Sequence, residues 1–253
     1  MSRLPRREPA IRALGAAAGG VALLLLGAGC ALDRTSGASD EPAGATGFLA
    51  GERTGPAALQ QPLTGRGNEP GWSVTIGADA IELVTDYGAT RSMFPKPAPE
   101  TSGDVTRYVV ADQDLTITLI ERPCADTMSG MFHPLTVTVE RPEGVLSGCG
   151  GEPVSLLLGR EWVVESIDGT GVIADSRVTI AFDEGGRVDG LAWCNRYLAT
   201  YELTGEGLWI AGGTSTMMAC EPSLMEQERR FLDALGAIRR FEIAGWRSRA
   251  SCR

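Results

Sequence analysis

Residues 115–120 read Leu-Thr-Ile-Thr-Leu-Ile, and residues 135–139 read Leu-Thr-Val-Thr-Val. In both stretches an apolar residue alternates with threonine, and a period of two places the apolar side chains on one face of an extended strand. Threonine and the β-branched apolar residues also favour strands. The two stretches therefore predict half-buried strands in a β-rich fold.

The same alternation extends in both directions along the chain. Before residue 140 it predicts strands at residues 72–76, 81–85 and 105–110, separated by turn-forming segments such as residues 93–99. Residues 150–153 read Gly-Gly-Glu-Pro and predict a boundary between two units.

The second half predicts more strands and one helix. The strands are expected at residues 162–165, 178–182, 187–191, 200–203, 208–210 and 241–243. Residues 183–186 read Asp-Glu-Gly-Gly and predict a four-residue hairpin connection. The helix is expected at residues 223–238, with Ser223 and Glu226 as a capping box and with Phe231 and Leu235 on its apolar face.

The predicted fold class is therefore mainly β, with two small antiparallel β domains at residues 67–153 and 154–253. Each domain is expected to be a twisted sheet or a partly open barrel, because short alternating strands must protect their edges. The second domain carries the single helix.

The N-terminal segment has the pattern of an export signal. Four arginines precede residues 14–26, which are uncharged and apolar, and Cys30 follows the small residues Gly-Ala-Gly. This pattern resembles a bacterial lipoprotein signal, which implies cleavage after residue 29 and diacylglycerol on Cys30. The predicted location is the cell envelope, with the lipid bilayer as a partner through acylated Cys30. Because Ala31 stands where an inner-membrane retention signal carries Asp, the outer membrane is the expected destination in a diderm.

Residues 30–66 are predicted to be the anchor cysteine followed by a disordered tether. Twenty-two of the 36 residues from 31 to 66 are Gly, Ala, Ser, Thr or Pro, and this composition buries too little apolar surface to offset the entropy of ordering. The whole chain has a formal charge of −9, and loss of residues 1–29 removes four Arg and one Glu, which leaves −12. Such a charge argues against a nucleic-acid partner, because phosphate binding needs a basic surface.

Export makes disulfides permissible, and five cysteines remain besides Cys30. The simplest pairing stays within each half and joins Cys124 to Cys149 and Cys194 to Cys220. Cys252 is then left free or forms an intermolecular bond. The cysteines lack the paired spacing of a zinc site, so neither a metal nor a cofactor is predicted.

Two segments resemble known families. Residues 158–162, 179–182, 190–197, 213–220 and 226–243, which include the blocks Cys-Asn-Arg-Tyr and Thr-Met-Met-Ala-Cys, resemble the META domain, the family of the heat-shock protein HslJ. The resemblance implies a compact β-rich fold with one helix, a bacterial envelope lipoprotein linked to stress, and no established enzymatic activity. The family usually continues with further strands after the Phe-Glu-Ile block, whereas this chain stops ten residues later.

The weaker resemblance covers residues 67–151. The segments Gly-Asn-Glu-Pro-Gly-Trp at 67–72, Cys-Ala-Asp-Thr-Met-Ser-Gly at 124–130 and Gly-Cys-Gly-Gly at 148–151 resemble an uncharacterised bacterial envelope domain. That resemblance implies no chemistry.

Few residues are candidates for a site. The sole histidine, His133, excludes any site with two histidines, and with Asp126 and Ser129 it supplies the residue types of a hydrolase triad without the usual Gly-x-Ser-x-Gly motif. Asn195, Tyr197 and Asp126 are candidate binding residues. Glu69, Asp126 and the pair 183–184 are carboxylates in turn-like sequences.

The adjacent methionines 217 and 218 are expected to fill the core.

Three functions follow as hypotheses. The leading one is a non-catalytic, membrane-anchored envelope lipoprotein that serves as a stress-related binding or protective module for an unidentified envelope partner. The alternatives are a lysozyme or protease inhibitor presented on a β scaffold, and an envelope hydrolase that uses Asp126, Ser129 and His133.

Overall fold

The structure is a computed structural model that describes residues 10–15, 22–27 and 62–244. Within these residues it has two curled antiparallel sheets, which are half-barrels, and one α-helix near the C-terminal end. This confirms the predicted mainly β class. Cys30, the segment 31–61 and Cys252 lie outside the described residues, so the predictions of a lipid anchor and of a free Cys252 stay predictions.

The first unit is a nine-stranded sheet in the order β6-β5-β4-β3-β13-β12-β9-β8-β7. Its strands are β3 (Leu63–Gly67), β4 (Trp72–Ile76), β5 (Ala80–Thr85), β6 (Thr90–Pro95), β7 (Glu100–Ser102), β8 (Val105–Val110), β9 (Leu115–Ile120), β12 (Leu135–Arg141) and β13 (Gly144–Gly150). A separate two-stranded ribbon pairs β10 (Cys124–Ala125) with β11 (Phe132–His133).

Alternation explains the core of this unit. Val74, Ile81, Ile117, Val137 and Val139 are completely buried, whereas the threonines that alternate with the apolar residues of β9 and β12 are half-buried, apart from the buried Thr118. Leu63 is also a core residue, so the folded unit begins inside the segment 30–66 that was predicted to be tether. Strand β6 covers residues that were expected to form a loop.

The second unit has a sheet in the order β19-β18-β17-β16-β14-β2-β1-β20, and β15 pairs with β14 beside that path. The strands are β1 (Ala10–Gly15), β2 (Ala22–Gly27), β14 (Glu161–Ile167), β15 (Thr170–Gly171), β16 (Thr179–Phe182), β17 (Arg187–Leu191), β18 (Arg196–Thr204), β19 (Gly207–Ser215) and β20 (Ile238–Ala244).

Strands β1 and β2 come from the predicted signal segment. They form an antiparallel pair that lies between β14 and β20. Strand β1 therefore pairs with β20, the strand that contains the Phe-Glu-Ile block. No further strand follows β20 in the described residues. The assignment of residues 1–29 as a removable signal stays a prediction.

The helix, α1 (Pro222–Ala237), packs its apolar face against the second sheet. Phe231 and Leu235 are buried as predicted, but the expected Ser223 cap is wrong. Pro222 occupies the first turn and Glu221 is the N-cap residue, whose carboxylate accepts the Ser223 N–H. Glu226 instead pairs with Arg229.

Close approach between backbones explains two of the glycines. A Cβ at Gly148 would lie 1.9 Å from the Arg66 carbonyl oxygen, where β13 meets β3. A Cβ at Gly207 would lie 2.3 Å from the Arg239 carbonyl oxygen, where the second sheet curls until β19 meets β20. Both positions therefore require glycine.

Candidate functional site

A cleft of about 480 Å³ lies between the two units. The first unit contributes β3, the residues after it and the segment from β10 to β11, which we call the Asp126 loop (residues 124–134). The other walls are the boundary residues 151–154 and the β18–β19 turn at residues 203–205. Charged and polar groups from Arg66, Asn68, Asp126, His133 and Glu152 line it.

Hydrogen bonds to the Asp126 carboxylate hold the Asp126 loop together. Asp126 Oδ1 accepts hydrogen bonds from the backbone N–H groups of Met128 (3.0 Å) and Ser129 (2.7 Å) and from the Ser129 hydroxyl (2.8 Å). Asp126 Oδ2 accepts one from Asn68 Nδ2 (3.0 Å). Burial by itself would raise the pKa of Asp126, but these donors outweigh it and lower the pKa to about 2. The carboxylate is thus held ionised as the centre of the loop.

The Asp126 loop also joins the two units. Met131 and Phe132 pack against the core of the second unit. The Cys124–Cys149 disulfide ties the beginning of the loop to β13. The loop therefore fixes one wall of the cleft to both sheets, while Met128 at its tip remains 81% exposed.

The three residues of the hydrolase hypothesis do not form a relay in this geometry. A nucleophilic serine donates its hydroxyl proton to histidine, and the histidine is oriented by the aspartate. Here the Ser129 hydroxyl donates to Asp126 instead. His133 Nδ1 lies 2.8 Å from the Gly151 carbonyl oxygen, which only accepts, so Nδ1 carries the proton and donates it there.

The other candidate carboxylates accept hydrogen bonds from neighbouring residues. Glu69 accepts a hydrogen bond from the exposed Tyr87 hydroxyl (2.9 Å), and this bond raises the pKa of Tyr87. Asp183 lies in the predicted hairpin between β16 and β17 and accepts from the backbone N–H groups of Gly185 and Arg187. These contacts lower the pKa of Asp183, the largest cause being the Arg187 N–H.

Asn195 and Tyr197, the candidate binding residues of the second unit, are both buried. The Tyr197 hydroxyl donates to the Thr179 carbonyl oxygen (2.9 Å), its ring meets Phe231 edge-on, and burial raises the pKa of Tyr197. Asn195 Nδ2 donates to Glu228 Oε1 (2.9 Å). The polar atoms of both residues are thus used inside the unit, and a binding role for them stays a prediction.

Asn195 also organises an exposed segment, which we call the Met217 loop (residues 216–220). Its Oδ1 accepts from the Met218 N–H (2.7 Å) and from the Thr216 hydroxyl (2.8 Å). The expectation that the two methionines fill the core is wrong: Met217 is 96% exposed and Met218 is 58% exposed. Sequence spacing alone could not show this, because the loop departs from the sheet after β19.

Both predicted disulfides are present, Cys124–Cys149 in the first unit and Cys194–Cys220 in the second. In residues 62–244 no group of three or more His, Cys, Asp or Glu side chains is placed to hold a metal ion. No helix among the described residues is long and apolar enough to cross a membrane.

These features define a class of protein: two β half-barrels, each with a disulfide-anchored loop, joined across a polar cleft. The family model of the META domain matches residues 155–247, the part of the second unit from β14 onward, which is consistent with the resemblance. No curated protein and no solved structure matches the chain. A META domain indicates a stress-related module of the envelope type, and it is not a known enzyme family.

Proposed function

We propose that the protein is a non-catalytic lipoprotein of the cell envelope, anchored through Cys30, whose two β units bind a polar envelope component under stress. One observation carries the binding part of this proposal: the cleft between the units gathers Arg66, Asn68, Asp126 and Glu152 around about 480 Å³. A concave site with a few convergent polar groups is the usual form of a ligand site. The META match supports the stress and envelope context.

The cleft offers groups of both charges to a ligand. Arg66 supplies a guanidinium, whereas Asp126, with its low pKa, supplies a carboxylate. A ligand with both an acidic and a basic or amide group therefore fits this chemistry better than an apolar ligand does. The occupant comes from the envelope in this proposal because the anchor and the tether hold the units there.

A photoreactive amino acid tests the cleft in living cells. Placed at Thr204, on the cleft wall, it should give a specific adduct after irradiation, and more of it under envelope stress. The matched control is the same group at Glu100 in the exposed edge strand β7, which should give none. Equal adducts at the two positions would refute the cleft as the site.

Metabolic labelling tests the anchor. The full chain should incorporate palmitate, Cys30→Ser should abolish the label, and Cys252→Ser should retain it. A deletion strain should show a stress phenotype that Cys30→Ser does not rescue. Label that persists in Cys30→Ser, or rescue by that variant, would contradict anchoring.

A covalent serine-directed probe tests the non-catalytic part. The purified chain should not react, because the Ser129 hydroxyl is bonded to Asp126 rather than to a histidine. An adduct that is lost on Ser129→Ala would overturn this part and restore the hydrolase hypothesis.

A second candidate function, an inhibitor of a lysozyme or a protease, is favoured by one observation on the META unit. The Met217 loop presents an almost fully exposed side chain on a base of buried hydrogen bonds. Stoichiometric titration of each enzyme class against the full chain tests it, since an inhibitor reduces activity in proportion to its own concentration.

A further inference from the structure

The Met217 loop is fixed at both ends. At its start, the Thr216 N–H donates to the Arg196 carbonyl oxygen (3.0 Å), which extends the pairing of β19 with β18. At its end, Cys220 is joined to Cys194 by the disulfide. Between these points the chain has few conformations open to it.

The middle of the loop is held from beneath by one buried amide. Asn195, which is 1% exposed, accepts the Met218 N–H with Oδ1 and donates to the Met218 carbonyl oxygen with Nδ2 (3.3 Å). Glu228 of α1, also buried, accepts from Asn195 Nδ2 and from the Asn195 backbone N–H (3.2 Å). The peptide bond between Met217 and Met218 is therefore backed by a polar network, while the Met217 side chain projects into solvent.

A rigid base under a projecting apolar side chain lowers the entropy lost on binding, because the loop is already ordered. Protease–inhibitor complexes are of this preorganised kind and change little in backbone on association. Methionine is unbranched and fits irregular apolar pockets. A single exposed methionine needs no explanation, but the residues on both sides of this one, Thr216 and Met218, are hydrogen-bonded to the buried Asn195 amide.

We propose that Met217 enters the apolar specificity pocket of a serine protease and that the Met217 loop inhibits the protease in the manner of a slowly released substrate. This inference rests on the second candidate function, the inhibitor. The first proposed function, ligand binding in the cleft, is independent of it.

The chemistry of this inhibition is reversible. The protease serine oxygen attacks the Met217 carbonyl carbon and gives its proton to the protease histidine; the bond to the Met218 nitrogen then breaks, and that nitrogen takes the proton. Asn195 and the Cys194–Cys220 disulfide hold the new Met218 amine beside the acyl group. Because the amine is held in place, it attacks the acyl group faster than water does and restores the peptide bond.

The test titrates the full chain against chymotrypsin, subtilisin, trypsin and lysozyme. Chymotrypsin or subtilisin, which have apolar pockets, should lose activity stoichiometrically. Met217→Asp should weaken this inhibition by about 100-fold or more, as expected for loss of the central anchor residue. Met128→Asp, a matched change at the exposed tip of the Asp126 loop, should leave inhibition unchanged.

Met217→Arg supplies a gain-of-function arm, because trypsin selects arginine: this variant should inhibit trypsin where the parent chain does not. Met217 is so exposed that each substitution should leave folding intact, which a urea midpoint equal to that of the parent verifies.

Three outcomes would overturn the proposal. The first is that neither apolar-pocket protease is inhibited, and the second is that Met217→Asp inhibits as well as the parent. The third is cleavage between Met217 and Met218 followed by recovery of protease activity, which identifies the loop as a substrate. Inhibition of lysozyme alone is a case of the first outcome, and it would leave the inhibitor function standing.

Discussion

The Asp126 loop and the Met217 loop are built from similar parts. Each is anchored by a disulfide, each is centred on an Asp or Asn side chain, and each exposes a methionine, Met128 in one and Met217 in the other. They differ in where the central side chain finds its partners. Asp126 binds mostly within its own turn, whereas Asn195 binds residues 21 to 33 positions away.

The central side chains of the two loops also differ in burial. Asp126 is partly exposed, so water can replace a lost hydrogen bond around it. Asn195 and Glu228 are buried, so a lost partner leaves a polar group without water. Substitution of the central residues should therefore affect the two loops differently, whereas loss of a disulfide or of an exposed methionine should affect them alike. Four predictions test this comparison.

The largest expected effects come from the disulfides, where the two loops should agree. The bonded cysteines are 25 residues apart in one unit and 26 in the other, and the chain-entropy model gives about 3.5 kcal/mol of stabilisation for loops of that length. Replacing both cysteines of either pair by alanine should lower the free energy of unfolding by about this amount, measured by urea denaturation. Mass mapping of the non-reduced chain verifies the pairing; a cross-unit bond would contradict it.

The second effect should separate the loops. Asn195→Ala removes the amide that contacts Glu228, Thr216 and Met218, and we expect a loss of about 3 kcal/mol in the free energy of unfolding. Asn68→Ala, the matched change beside Asp126, should cost about 1 kcal/mol, because the loop retains its local bonds and solvent access. Equal losses in the two variants would show that burial does not distinguish the loops.

The third effect depends on pH and concerns the Asp126 loop. The pKa of Asp126 is about 2 in the folded chain, against 3.8 as the ordinary value. A lowered folded pKa stabilises the fold above the unfolded pKa, and this stabilisation is lost as the pH falls through the folded pKa. Asp126→Asn should therefore lower the free energy of unfolding by about 1 kcal/mol at pH 7, after allowance for solvent screening. At pH 2 it should change that free energy by close to nothing.

Met128→Ser supplies the contrast, because neither methionine nor serine gains a proton in this range. Urea midpoints of both variants and the parent at several pH values between 7 and 2 provide the measurement. A cost for Asp126→Asn that stays constant down to pH 2 would contradict the low pKa.

The smallest effects are expected at the methionines themselves. Met128→Ser and Met217→Ser should each change the free energy of unfolding by less than about 0.5 kcal/mol, because the side chains are 81% and 96% exposed. A loss above about 1 kcal/mol at either position would mean that the methionine packs against the protein in solution.

Sequence reasoning predicted strands whose burial alternates, such as β4, β5 and β12, but it assigned most of β3 to the tether. It missed β7, where Glu100, Thr101 and Ser102 are all exposed, because a strand without a buried face has no apolar period. It also missed β13, whose sequence Gly-Val-Leu-Ser-Gly-Cys-Gly is governed by close approach to β3 rather than by alternation. Alternation of apolar and polar residues reflects which side chains are buried. It therefore cannot predict strands that lie at an edge or cross another backbone closely.

The candidate site was only partly predictable for a related reason. Asp126 bonds the second and third residues after it, a local pattern that the sequence Asp-Thr-Met-Ser already favours. The contact between Asn195 and Glu228 spans 33 residues. Glu228 is polar yet buried on α1, where helical periodicity identifies only the apolar face, so only the packed fold reveals it as part of the loop's support.

The second sheet contains strands β1 and β2 only as long as residues 1–29 remain part of the chain. They come from residues 10–27 and separate β14 from β20. If residues 1–29 are the removable signal that the sequence predicts, the second sheet of the precursor is self-complemented, because residues 10–27 supply the strands between these two edges. Removal of residues 1–29 would leave backbone donors and acceptors of Val163, Val164 and the β20 strand without strand partners. Such processing would then separate β20 from β14 and leave both edges able to accept added strands, so maturation itself would create a place where another β-hairpin can bind.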